Sequence, residues 1–149
     1  MADEAETTIA ILNELLEAEG KSLLVRMSEA APFVSREGAS SVEAVSSIAA
    51  EQSRHMGALI RGIVELGGMP VPRQPDASTT HLHYLDLAFL VPQVLADARR
   101  LIGMYERALE RVAPGSASGA LVGRLLLGHR AQIGRLERLG LALQGEASP

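Results

Sequence analysis

Apolar residues recur along this chain at alternating steps of three and four, the spacing that gathers them on one face of an α-helix. Nowhere do they alternate every second residue, so no strand is expected. Breakers divide the pattern into four segments. Pro32 stops the first, Gly67-Gly68 with Pro70 the second and Pro114-Gly115 the third, while Ser116 or Ser118 can cap the fourth. The predicted helices cover about residues 6–31, 40–66, 82–112 and 116–143. Pro92 falls inside the third, where it either kinks the helix or splits off a leading turn from Leu82 to Val91. The pattern predicts a single all-α domain over residues 1–149, a four-helix bundle.

The joins between segments differ. The first and third are short and suit antiparallel neighbours. The second, from Gly67 to His81, carries Pro70, Pro72 and Pro75. At about 3.3 Å per residue it reaches roughly 45–50 Å. A helix of about 26 residues is only ~39 Å long. This segment can therefore cross the whole bundle, joining two antiparallel pairs and leaving helices two and three parallel.

Each helix interrupts its apolar seam in the middle. Helix one reads Ile9, Leu12, Leu16, Glu19, Leu23, Arg26, and helix two reads Val45, Ile48, Gln52, His55, Leu59, Gly62, Leu66. Helix three reads Leu90, Val94, Asp97, Leu101, Met104, Ala108, and helix four reads Val122, Leu125, His129, Gln132, Leu136, Leu139, Leu143. A buried charge costs several kcal/mol unless it is paired, hydrogen-bonded or bound to metal. Four helices placing polar groups at one level form a site.

Leu12-Asn13-Glu14-Leu15-Leu16 followed by Glu19, and His55 through Gly68-Met69-Pro70, resemble the first and second helices of the ferritin-like superfamily, especially bacterioferritin and rubrerythrin-type bundles. The resemblance covers nearly the whole chain. It implies a ferritin-like bundle in which helices one and three each give a Glu to two irons, and helices two and four each give Glu-x-x-His. Carried over, those positions are Glu19, the pair Gln52-x-x-His55, Asp97, and the pair His129-x-x-Gln132. Both bridging Glu positions are thus replaced, by Gln52 and His129, and one His has become Gln132. Two irons need several anions between them, so a conventional ferroxidase centre is not expected. Glu19, His55 and His129, with Gln52 able to add a neutral oxygen, suit one Fe(II), Zn or Mn ion better than two. Asp97 either completes that shell or orients His129 from behind, and Gln132 is a hydrogen-bond partner rather than a strong ligand. Glu51 and Arg54 fall beside the seam, facing solvent or a helix edge. If helix two is rotated slightly, Glu51 and His55 become the ligand pair.

A metal-free alternative uses the same residues. A carboxylate paired with His, the glutamines filling the remaining donors and acceptors and Arg26 reaching inward, makes a closed hydrogen-bond network. His81 and His83 with Asp86 form a His-x-His cluster that reads as ordinary loop chemistry, with Tyr84 and Phe89 packing the crossover onto the bundle.

Composition narrows the function classes. Hydrophobic residues at 47% and charged residues at 21% exclude a disordered chain. The absence of Cys excludes disulfides, thiolate zinc sites, iron–sulfur clusters and a Cys nucleophile. A net charge of −4 argues against nucleic-acid binding. No apolar run reaches the ~18 residues of a membrane span, and no charged-then-apolar signal pattern opens the chain, so a cytoplasmic protein without a membrane partner is expected. Leu15, Leu24, Val42, Ile60 and Ile63 widen the apolar stripes of helices one and two beyond a seam, which predicts a homodimer. Three functions follow: a ferritin-like protein holding one transition-metal ion, a metal-free bundle serving as an assembly or partner-binding module, and a weak di-iron oxidase using Glu51 or another register of helix four. Nothing in the sequence marks the chain as an enzyme.

Overall fold

A computed structural model describes residues 2–22, 39–71 and 87–147 of the chain. They form four helices, α1 (Ala2–Lys21), α2 (Ala39–Glu65), α3 (Leu87–Arg111) and α4 (Ala117–Ala147), with no strand among the described residues. Two boundaries and the course of α3 at Pro92 differ from the sequence expectation. α1 begins four residues earlier than position 6, because Ala2 is followed by good helix formers and Asp3 and Glu4 favour the positive end of the helix dipole. α4 continues past residue 143 to Ala147. α3 runs unbroken through Pro92, without the separate leading turn. Residues 23–31 and 82–86, including Leu23, Arg26, His83, Tyr84 and Asp86, lie outside the described residues, as does His81.

The helix ends follow local chemistry. Gly67 adopts a left-handed φ of 84° after α2. Its amide donates to Val64 O at 2.9 Å and that of Gly68 to Ile63 O at 2.9 Å, a Schellman closure that satisfies two terminal carbonyls. Asn13 then clips the departing strand of chain to α1, donating to Met69 O at 3.1 Å and accepting from Val71 N at 2.8 Å. At the other hairpin Gly115 has φ 76°. Ser116, not Ser118, is the cap: its Oγ accepts from Gly119 N at 3.0 Å.

Contacts between neighbouring helices climb one helix as they descend the other. Between α1 and α2, Ser22 meets Gln52 while the vacant Cβ position of Gly68 faces Ile9. Between α2 and α4, Glu51 meets Arg135 and the Cβ position of Gly62 faces Leu121. α3 meets α4 through Arg99–Glu137 and Glu106–Arg130. α1 meets α3 through Glu19–Tyr105 and Glu14–Arg111.

Among the described residues the apolar core is in two parts. One contains Leu12, Leu16, Leu59, Ile63, Val122 and Leu125. The other contains Val45, Ile48, Leu90, Val94, Leu136 and Leu143. Along α2, α3 and α4 the polar mid-seam residues fall between the two, whereas α1 contributes only to the first, with Glu19 beyond its last apolar residue there. Leu15 and Ile63, expected as surplus apolar positions for a dimer face, are buried within the chain's own core at 1% and 0% exposure. The physical reason is width: an α-helix in a bundle buries a stripe of about 100° or more, broader than a three-and-four seam. Of that set Ile60 is exposed, and Leu24 and the Val42 side chain lie outside the described residues. Phe89, expected to pack the crossover, is 60% exposed. No helix among the described residues is long and apolar enough to cross a membrane.

Candidate metal centre

Glu19 is reached from three helices. It sits in the last turn of α1, fully buried, where the seam Leu12–Leu16–Glu19 points inward. Its Oε1 accepts a 2.6 Å hydrogen bond from the hydroxyl of Tyr105 on α3. The same oxygen touches Nε2 of His129 from α4 and lies 4.0 Å from Nδ1 of His55 on α2. His55 Nδ1 and His129 Nε2 are 3.3 Å apart, their rings meeting edge to face with centroids separated by 4.7 Å. One donor atom from each of Glu19, His55 and His129 lies within 4.8 Å of the other two. The second carboxylate oxygen, Glu19 Oε2, is buried without a hydrogen-bond partner among the described residues.

Burial sets the electrostatics of the groups around this carboxylate. It pushes the Tyr105 phenol well above 10, and the Glu19 charge and hydrogen bond push the same way. His55 is lowered from 6.5, first by burial and then by repulsion from His129, against the pull of Glu19 and Glu51.

The remaining predicted site residues surround the group without joining it. Gln52 is buried and its Nε2 donates to Ser22 Oγ at 2.8 Å. Gln132, also buried, donates from Nε2 to Glu51 Oε2 at 3.2 Å. Asp97 is half-buried and turns Oδ1 to Arg100 at 2.6 Å. Together with His129, these residues line a cavity of about 10 Å³, room for one water at most. Asp97 therefore does not complete the Glu19–His55–His129 group. An Asp side chain is short, and an Arg one turn away on the same helix draws its carboxylate outward.

Glu51 is also committed elsewhere. Arg135 grips both of its oxygens at 2.8 and 2.7 Å and reaches Ser47 at 3.2 Å. Burial alone would raise the Glu51 carboxyl, but the bonds from Arg135 and Gln132 and the charges of Arg135 and Arg54 outweigh it and hold it below 4.5. The alternative pairing of Glu51 with His55 as ligands is not the arrangement adopted.

Sequence reasoning missed Tyr105. The expected seam of α3 ran through Met104, which is partly buried, whereas Tyr105 is fully buried. A signal was present, since Leu101, Tyr105, Ala108 and Val112 also follow the four-three-four spacing. A buried tyrosine hydroxyl needs a polar partner.

The donor set fits one metal ion. Two imidazole nitrogens and a carboxylate with an unpartnered oxygen match the ligand preferences of zinc and of divalent iron or manganese. Among the described residues around it, Glu51 and Asp97 are paired with arginines and Gln52 and Gln132 carry no charge. No family model, curated protein or solved structure matches this chain.

Proposed function

We propose that the chain is a ferritin-like four-helix bundle that holds a single transition-metal ion, Fe(II), Zn or Mn, between Glu19, His55 and His129. The observation that carries the reading is Glu19 Oε2. A buried acceptor left unpaired costs about 1–3 kcal/mol, more for a charged group, and a cation between the three side chains removes that cost. Two ligands about 2.05 Å from a tetrahedral ion stand about 3.3 Å apart. His55 Nδ1 and His129 Nε2 have that separation, 3.3 Å.

The contact order supports the topology. α1 and α4 each run counter to both α2 and α3 in their contacts, so α2 and α3 share a direction. A shared direction for these two helices is what the one-crossover arrangement of ferritin-like bundles requires, and it supports that reading. We take the bundle to associate as a homodimer through the exposed α2 face bearing Ile60 and Val64.

A second reading has one observation in its favour. Glu19 Oε1 already contacts both Tyr105 and His129, so the same group can close as a metal-free network and the bundle can serve as an assembly module. Elemental analysis of tag-free protein, followed by zinc titration into stripped protein, separates the two. One ion per chain, lost in His55→Ala and Glu19→Gln, is expected. Protein that neither retains nor takes up metal would leave the network as the function-bearing reading. A ratio of two per chain would restore the di-iron oxidase.

A further inference from the structure

His55 reaches the other two ligands with Nδ1, which faces His129 and Glu19, while the adjoining Cε1–Nε2 edge of its ring faces the vacant Cβ position of Gly128 on α4. A Cβ placed on Gly128 would stand 2.9 Å from His55 Nε2 and 3.1 Å from Cε1, inside normal van der Waals contact. Gly123, on the same helix, has nothing within 4 Å of its vacant Cβ position. Glycine inside a helix is unfavourable relative to alanine, yet α4 carries Gly123 with no neighbour to exclude, so what sets position 128 apart is the group its Cβ would meet. That group is the His55 imidazole.

We propose that Gly128 is the positioning residue of the metal centre: its missing side chain seats His55 against α4 and so presents Nδ1, rather than Nε2, to the ion. The inference rests on the metal reading above and adds to it the choice of ligand atom. The atoms that a methyl group at 128 would strike are the far end of a side chain, not backbone. Gly128→Ala therefore displaces the ring and leaves the helix in place. Turning the ring away carries Nδ1 out of its 3.3 Å approach to His129 Nε2, and a ligand misplaced by an ångström no longer completes the shell.

The test compares Gly128→Ala with Gly123→Ala, using zinc as the probe. Both substitutions raise helix propensity, which in Gly128→Ala offsets the cost of displacing the ring, and a purely structural glycine would leave zinc affinity unchanged in both. Calorimetric titration should show parental affinity for Gly123→Ala and a loss of tenfold or more for Gly128→Ala. Nitrogen-15 histidine spectra of the zinc-loaded parent should show His55 bound through Nδ1. Equal affinities in the two variants, or zinc on His55 Nε2, would overturn the proposal. If the parent binds no zinc, the metal reading fails on its own. Ring-to-ring Overhauser contacts between His55 and His129 in the folded metal-free proteins then decide the role of Gly128: their loss in Gly128→Ala supports it, and their persistence overturns it.

Discussion

Tyr105 donates its hydroxyl proton to Glu19 across the α1–α3 interface at 2.6 Å, with neither residue accessible to solvent. The bond ties the only carboxylate of the centre to a helix that contributes no imidazole.

Tyr105→Phe should therefore destabilise the metal-free protein by about 2 kcal/mol, the worth of a hydrogen bond to a charged group. Denaturant unfolding measures it. The phenol is held well above 10 by burial and by Glu19, so the unfolded chain loses that proton first as the solution becomes alkaline. Stability is full below about pH 10 and falls as pH rises beyond it, and Tyr105→Phe removes that part of the decline. A variant with parental stability and an unchanged alkaline slope would count against the bond.

The acid side has the opposite sign. His55 is lowered from 6.5 in the fold, so the unfolded chain takes up a proton there before the native chain does. Its contribution is fully present above about pH 6.5 and is lost as pH falls through the folded value. Chemical denaturation from pH 8 to 5 should show this decline, flattened in His55→Gln. An identical pH dependence in the two proteins would refute it.

Metal binding should protect the fold by mass action. Free zinc at a hundred times its dissociation constant adds about 2.7 kcal/mol. The melting temperature should rise with zinc in the parent and stay constant in His129→Ala. A rise of equal size in both proteins would assign the effect to other groups.

Glu51 and Arg135 form a doubly hydrogen-bonded pair that is about one-third exposed. Solvent screening limits such a pair, and Arg135→Gln should cost about 1 kcal/mol or less near neutral pH. Glu51 is held below 4.5, so the contribution is present above that value and disappears as pH falls through the lower, folded one. If zinc titration of Arg135→Gln gives a second ion per chain, the pair also excludes metal from Glu51; a ratio of one would leave it a purely structural clasp.

Much of this centre was legible before any coordinates. Glu19, Gln52, His129 and Gln132 break apolar seams at one level, and all four are buried there. Seam spacing reports which side of a helix faces inward, so it located these residues well. It does not report side-chain reach, and Asp97 shows the consequence: the right face, but a carboxylate drawn to Arg100. Nor does a narrow seam mark the edges of the buried stripe, where Tyr105, Leu15 and Ile63 lie. Gly128 was illegible for another reason, because the approach of an imidazole from α2 is a property of helix packing and leaves no periodicity in α4.

Among the described residues the two apolar clusters are parted by the polar belt rather than merging, so strain spreads within each more readily than from one to the other. A void opened at Leu59 and one opened at Leu139 have different walls and relax against different neighbours. Energetically the molecule should act as two compartments in series, where defects on opposite sides of the belt add and defects on one side compensate or compound. The belt is then a partition as well as a binding level, and sequence drift can proceed in each compartment without consulting the other.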